Sequence, residues 1–186
     1  MSVEEFLACT PQDTRLWQLV DGEPRLMSPP SVVHAIVQGE LTGVIRDHLR
    51  ASGNRCRVLV TPGVKPRVQA NHNMRIPDLA VTCVRQPQNQ PDLKDPLLIV
   101  EILSPSNEAQ TWNNVWAYTT IPSVHEIIVV RTDRMEAAIL RRGLDGAWPA
   151  EPETAGTGEN LVFDSIGLRT GLDSLYRGTP FNPDED

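Results

Sequence analysis

The stretch from Leu97 to Leu103 is an apolar run with a single carboxylate, Glu101, inside it. Its length and its β-branched residues predict a central β-strand that is covered on both faces. Alternation along a strand places Glu101 on the face of Ile99 and Leu103, near the C-terminal end where open α/β sheets usually carry their chemistry. An ionised Glu there is costly unless it is paired, hydrogen-bonded or metal-bound. Two explanations stay open: an ion pair with arginine at the strand edge, or a functional site.

The bulk properties predict one ordinary globular domain. The chain has 186 residues, of which 40% are hydrophobic and 22% charged, enough for a core without disulfide staples. We expect a lead-in over residues 1–14, a single domain over 15–178 and an acidic tail over 179–186. Three widely separated cysteines suggest neither a zinc cluster nor a disulfide framework, so a reduced, cytoplasmic setting is expected. Neither a signal peptide nor a membrane-spanning run is recognised.

The charge of the chain limits the partners that it is expected to bind. A net charge of −7 argues against a broad, non-specific DNA-binding surface, which would be basic overall. A local groove lined by arginine remains compatible with this charge, and an acidic metal site would itself contribute negative charge. Basic residues are almost all arginine, since Lys65 and Lys94 are the only lysines.

Hydrophobic spacing and turn signals predict the order of the elements. An Asp-Gly turn between two apolar segments predicts a β-hairpin over 16–27. Apolar residues at three- and four-residue steps predict a helix over 32–49, and Asn107 with Gln110 predicts a capping box that starts a second helix. Further strands are predicted at 57–60, 63–68, 79–84, 126–130, 135–140 and 161–163, and Pro66 limits the piece at 63–68 to an edge strand or a bulge. Residues 143–160 are predicted to be a loop anchored by Trp148. This order predicts an α/β fold with a mixed sheet and helices packed on it.

A second carboxylate, Asp78, stands at a strand end in surroundings similar to those of Glu101. If the two strands are neighbours, the carboxylates converge over one edge of the sheet. Carboxylate oxygens at ~2.1 Å, with several waters retained, are how Mg²⁺ is usually held. Such an ion can polarise a phosphate and acidify a bound water.

Five motifs occur in an order that resembles a known family. They are WQLVDGE at 17–23, MSPP at 27–30, IPDLAV at 76–81, VEILSPS at 100–106 and YTTIPSVHE at 118–126. On these motifs the chain resembles the Uma family of restriction-endonuclease-like proteins over residues 15–178. The resemblance implies a PD-(D/E)XK nuclease core, in which a central mixed sheet is flanked by helices, here with an N-terminal β-hairpin.

The resemblance also implies a site and an activity. Asp78 matches the Asp of the first element of the pattern and Glu101 matches the acid of the second. The main-chain carbonyl of Ile102 is implied as a further ligand of Mg²⁺ or Mn²⁺. The implied activity is metal-dependent endonuclease cleavage of phosphodiester bonds in nucleic acid, with DNA as the expected partner. A homodimer is also implied, because nucleases of this fold often cut in pairs.

The chain departs from the family pattern where a lysine is expected. The general pattern places Lys two residues after Glu101, where this chain has Leu103, and many members place it on the following helix, where this chain has Asn114. No lysine occurs from residue 95 to the end. A lysine at that place stabilises charge and orients the attacking water. Its absence favours an alternative function, a catalytically weakened nuclease fold that acts as a nucleic-acid or protein interaction module.

Four further side chains are candidate accessory residues, each with a structural alternative. Lys65 is either a compensating cation or a solvated edge-strand charge, and Arg75 is a candidate phosphate clamp, since guanidinium stays protonated. His34 either positions water or phosphate, or is a surface or capping histidine. Glu23 is either an extra metal ligand or a solvated acid after the hairpin turn.

Two other groups of residues are given structural or negative interpretations. Trp112 and Trp116, at helical spacing, are predicted to be core residues rather than groups that stack on bases. Ser104 and Ser106 lack a partnered His and Asp, so a serine hydrolase is rejected.

Overall fold

A computed structural model of the protein describes residues 1–9 and 15–182. Within these residues the α-helices are α1 (Val3–Ala8), α2 (Val32–Ala51) and α3 (Glu108–Tyr118). The strands are β1 (Trp17–Val20), β2 (Glu23–Leu26), β3 (Arg57–Val60), β4 (Leu79–Thr82), β5 (Pro96–Leu103), β6 (Glu126–Arg131), β7 (Glu136–Arg141), β8 (Glu153–Gly156), β9 (Asn160–Phe163) and β10 (Leu168–Gly171). Short 3₁₀ turns span Pro105–Asn107, Asp164–Ile166 and Leu172–Tyr176.

The main sheet has six strands in the order β3-β4-β5-β6-β7-β8. All neighbours are antiparallel except β5 and β6, which are parallel. This confirms the predicted mixed α/β sheet. The apolar strand β5 lies inside the sheet, and its residues alternate between two buried clusters, one packed against α2 and the other against α3. Glu101 is therefore on the α3 side, with Ile99 and Leu103.

The predicted hairpin is confirmed and is held to the rest of the domain. Its turn residues Asp21 and Gly22 have φ values of 52° and 85°, the left-handed backbone that a tight two-residue hairpin requires. Leu19 pairs with Met74 in an isolated bridge, which ties β1 to the loop before β4. Helix α1 buries Phe6 in the same cluster as these two side chains. The hairpin thus sits next to the loop that leads into Asp78.

Two local predictions, the strand piece at 63–68 and the capping box at Asn107, are not borne out as regular structure. Residues 63–68 form no strand beyond a single bridge between Val64 and Arg75, since Pro66 has no amide hydrogen to extend the ladder. The capping box is also absent, because the side chain of Asn107 makes no capping hydrogen bond. Gln110 instead donates to the side chain of Asn114 at 3.1 Å.

The C-terminal third contains more β-structure than was predicted. Residues 143–160 include β8, which completes the edge of the main sheet, and β10 pairs with β9 in a separate antiparallel ribbon. The Gly, Pro and acidic composition of this stretch concealed β8. Trp148 does anchor the segment, since its Nε1 donates to the carbonyl of Thr119 at 3.0 Å. Residues 10–14 of the expected lead-in and 183–186 of the expected tail lie outside the described residues.

Two of the three cysteines are paired, which overturns the expectation of unpaired thiols. The register of β3 with β4 sets Arg57 opposite Thr82, and one step further it sets Cys56 opposite Cys83, which form a disulfide. Cys9 is free and exposed. Spacing alone could not reveal this pair, because it depends on which strands are neighbours. Separately, none of the helices in residues 1–9 and 15–182 is both long enough and apolar enough to cross a membrane.

Candidate functional site

The structure brings the two predicted carboxylates together across neighbouring strands. Strands β4 and β5 are antiparallel, with Leu79 opposite Val100. The next step of the same register places Asp78 opposite Glu101, at the point where β4 begins. Directly opposed residues in an antiparallel pair lie close enough for their side chains to interact.

Four polar contacts fix Asp78 in place. Its Oδ1 lies 2.8 Å from His34 Nε2, and its Oδ2 accepts a hydrogen bond of 2.7 Å from the amide of Ile102. Its carbonyl accepts from the amide of Thr61 at 3.0 Å and from Gln38 Nε2 at 3.1 Å. His34 and Gln38 are one turn apart on α2. The position of His34 therefore favours the site-facing interpretation over a surface or capping histidine.

Glu101 is only 6% exposed and has one strong hydrogen bond. The hydroxyl of Tyr118, at the end of α3, donates to its Oε1 at 2.7 Å. Burial, and after it the negative charge of Asp78, raise the pKa of Glu101 well above its usual range. Burial and the charge of Glu101 likewise raise the pKa of Tyr118. Among the described residues, neither Arg nor Lys forms an ion pair with Glu101, so the edge-pair explanation has no structural basis.

Glu126 illustrates how this chain satisfies a buried acid that has a structural role. It is 1% exposed and accepts hydrogen bonds from Arg141 Nε at 3.0 Å and from the amides of Asp164 and Ser165 at 3.1 and 3.0 Å. The hydroxyl of Ser165 adds a fourth bond at 2.8 Å. Glu101 has no such set of donors and faces another acid, which is the arrangement expected of a functional carboxylate.

A buried arginine stands near the place where the family resemblance expects lysine. Arg75 is 3% exposed, and its Nη1 donates to Asn114 Oδ1 at 3.0 Å. Asn114 in turn favours the ionised form of Glu101 and so lowers its pKa, against the larger effect of burial. The acid nearest to Arg75 is Asp21, at 3.9 Å, and burial lowers the pKa of the guanidinium. A positive charge is thus fixed one side chain away from Glu101.

The other candidate accessory residues lie apart from the carboxylates. Lys65 is 3.8 Å from Asp92, and the exposed Glu23 pairs with Arg25 at 3.5 Å.

Trp116 was predicted to be core, but it is 45% exposed. That prediction is wrong because its position on α3 turns it away from the sheet. The sequence did not predict the hydrogen bond from Tyr118 to Glu101. The position of Tyr118 at the end of the helix that follows β5 could have indicated it.

The donor set suits a hard divalent cation. The amide of Ile102 donates to Asp78. In an extended strand the carbonyl of a residue points to the same side as its amide, so the carbonyl of Ile102 faces the residues that precede β4. Two carboxylates and one carbonyl oxygen are ligands that Mg²⁺ and Mn²⁺ prefer, and Mg²⁺ keeps several waters. Within residues 1–9 and 15–182, no group of three or more His, Cys, Asp and Glu side chains is arranged so that it could hold a metal ion.

Comparisons with known proteins identify the family of the chain and its fold. The Uma2 family, described as "putative restriction endonuclease", matches residues 3–170. An uncharacterized protein of Synechocystis sp. is 27% identical over 183 residues, which is 97% of this chain and 94% of that protein. A crystal structure described as a putative nuclease belonging to DUF820, from Anabaena variabilis, has a TM-score of 0.74 at 17% identity and covers 95% of this chain and 97% of its own. The chain therefore belongs to the Uma2 family and has the fold of restriction-endonuclease-like nucleases.

Proposed function

We propose that this protein is a Mg²⁺- or Mn²⁺-dependent endonuclease that hydrolyses phosphodiester bonds of DNA. One observation carries the proposal: two buried carboxylates oppose each other, and no lysine or arginine of the described residues neutralises them. Burying like charges is costly unless a cation binds between them. Membership of the Uma2 family, whose description is "putative restriction endonuclease", supports the same activity. The homodimer and the cytoplasmic setting stay predictions.

Asp78, Glu101 and the carbonyl of Ile102 are the groups that would hold the ion. When bound, such an ion acidifies a water and polarises a phosphate oxygen. His34 and the amide of Ile102 fix the two oxygens of Asp78, so that the carboxylate keeps one orientation. Tyr118, on α3 at the opposite face of the sheet from α2, orients Glu101 in the same way. Groups that orient ligands in this way strengthen metal sites.

The absence of lysine favours the second candidate, a weakened nuclease fold that serves as an interaction module. Leu103 is buried in the core and Asn114 is neutral, so neither supplies charge to a phosphate. The buried guanidinium of Arg75 supports the enzyme instead, because it places a permanent positive charge on the neighbour of Glu101. We infer that Arg75 takes over the electrostatic part of the lysine's role, although it cannot act as a base.

The proposal is tested by nicking of supercoiled plasmid and cleavage of single-stranded DNA in Mn²⁺, Mg²⁺ or EDTA. We expect cleavage by the wild type only when a divalent ion is present, and none by Glu101→Gln. Asp47→Asn is the matched control, because Asp47 is an exposed acid on α2 whose one ion pair within residues 1–9 and 15–182 is with its neighbour Arg46. Cleavage that persists in Glu101→Gln, or its absence in the wild type under all these conditions, would overturn the enzyme and leave the interaction module.

His34→Ala is expected to weaken Mn²⁺ binding and hydrolysis by about 10- to 100-fold, the usual effect of removing a group that orients a ligand. The physical reason is that Asp78 Oδ1 loses its partner at 2.8 Å. His48→Ala is the control on the same helix, since His48 contacts the carbonyl of Ile166 at 2.9 Å, away from the carboxylates. Calorimetric titration with Mn²⁺ measures the affinity of both variants. Equal affinities for the two variants would show that His34 does not position Asp78.

A further inference from the structure

A cavity of about 450 Å³ lies between the hairpin and α3. Its lining includes Asp21, Arg25, Gln69, Arg75, Gln110 and Trp116. Two of these residues reach the carboxylate site, because Arg75 Nη1 and Gln110 Nε2 both donate to Asn114 Oδ1, at 3.0 and 3.1 Å. The cavity therefore adjoins the carboxylate pair through a single side chain. None of the three residues that would hold the ion, Asp78, Glu101 and Ile102, lines it, so it is a space distinct from the ion's own position.

Arg75 brings a guanidinium with incomplete hydrogen bonding to the wall of the cavity. Only 3% of the residue's surface is exposed, and among the described residues its Nε, which is closed to solvent, has no hydrogen-bond partner. Asp21 lies 3.9 Å from Nη2, beyond hydrogen-bond distance. A guanidinium matches the oxygens of a phosphate, which is the anion that a nucleic-acid strand carries.

A second arginine also lines the cavity. Arg25, on β2, lies across the cavity from α3 and donates from Nη1 to Gln110 Oε1 at 3.0 Å. Arg25 lies 3.5 Å from Glu23 and Arg75 lies 3.9 Å from Asp21, so the two arginines are balanced by two acids. The cavity is therefore close to neutral, whereas the whole chain has a net charge of −7.

Trp116 adds an aromatic surface beside these charges. It is 45% exposed, and its ring lies 6.4 Å from that of Trp112 with an angle of 33° between the planes. A half-exposed indole next to a phosphate-binding group is the combination by which proteins hold unpaired nucleotides, with the base stacked on the ring. In a duplex, both faces of a base are already stacked against its neighbours, so it cannot occupy this surface.

We propose that this cavity binds one unpaired nucleotide of the substrate strand, with its phosphate on Arg75 and its base on Trp116. The protein therefore prefers single-stranded nucleic acid to duplex. This inference rests on the proposed function in one respect, that the ligand is nucleic acid. It assigns to Arg75 and Trp116 a binding role that requires no metal.

The test is fluorescence anisotropy of an end-labelled single-stranded 12-mer and of the same sequence as a duplex, both in EDTA so that nothing is cleaved. We expect the wild type to bind the single strand at least tenfold more tightly than the duplex. Trp116→Ala is expected to weaken single-strand binding about tenfold, and Trp116→Phe to retain most of it, because a phenyl ring still stacks. Arg75→Gln is expected to weaken it by tenfold or more, and Arg75→Lys by less.

Arg46→Gln is the matched control, since Arg46 is an exposed arginine on α2 that does not line the cavity. Its affinity is expected to stay within twofold of the wild type. Because Trp116 is half exposed, its substitution tests the inference even if the Arg75 variants do not fold. Duplex bound as tightly as single strand, unchanged affinity in Trp116→Ala, or no single-strand binding would overturn the inference. Single-strand binding without any Mn²⁺-dependent cleavage would support it while overturning the proposed endonuclease.

Discussion

Asp78→Asn is expected to lower the Mn²⁺-dependent kcat/KM of DNA cleavage by about a thousandfold or more, equivalent to ~4 kcal/mol of transition-state stabilisation. The change removes one of the two negative ligands that would hold the ion. An amide can still accept from the amide of Ile102 and hydrogen-bond to His34, so the local structure is expected to persist. Initial rates on a labelled oligonucleotide, over a range of substrate concentrations, give the ratio.

Asp47→Asn serves as the control here too, because it removes the same charge from an exposed position on α2. Its kcat/KM is expected to match that of the wild type. If purified Asp78→Asn cleaved DNA at the wild-type rate, Asp78 could not be a metal ligand and the site would lie elsewhere.

Glu126→Ala is expected to lower the free energy of unfolding by about 3–5 kcal/mol, because it leaves three donors, the amides of Asp164 and Ser165 and the Ser165 hydroxyl, without their acceptor. It also removes one of the acidic partners of Arg141, which keeps Asp164 and Glu153. Glu101→Gln, measured without metal, is expected to leave that free energy unchanged or to raise it. The reason is that Glu101 is buried beside Asp78, with a pKa raised first by burial and then by that charge, so its ionised form opposes folding at neutral pH. Urea unfolding in EDTA measures both variants.

The contrast between these two acids matters more than either value alone. A structural acid contributes to stability through its partners, whereas a functional acid is retained for what it binds. A loss of 3 kcal/mol or more in Glu101→Gln would place Glu101 in the structural group and remove the main support for an ion site. Glu126→Gln, which keeps the volume of the side chain, tests whether the Glu126 effect comes from charge and hydrogen bonding.

Local signals in the sequence predicted the parts of the fold that depend on few neighbours. The Asp-Gly turn specified the hairpin, and the apolar run of β5 specified a strand inside the sheet. The carboxylate pair followed from the same run, because a buried acid needed a partner and Asp78 preceded another buried strand. The antiparallel register of β4 with β5 then supplied the convergence that sequence could state only as a condition.

Features that depend on strand order or on side-chain packing could not be predicted. The disulfide between Cys56 and Cys83 requires knowing that β3 lies next to β4. The contact of His34 with Asp78 requires the orientation of α2 over the sheet, which the apolar stripe fixes only approximately. The position of Arg75 is similar, because its guanidinium reaches Asn114 from a loop that carries no regular pattern. The sequence therefore named Arg75 as a candidate phosphate clamp, but its contact with Asn114 could be seen only in the structure.

The most direct test of a metal site between Asp78 and Glu101 is calorimetric titration of Mn²⁺ into the wild type and into the double variant Asp78→Asn, Glu101→Gln. We predict saturable binding of one ion by the wild type and no measurable binding by the double variant, with both proteins folded by circular dichroism. The same affinity in both proteins, or no saturable binding by the wild type, would contradict the site.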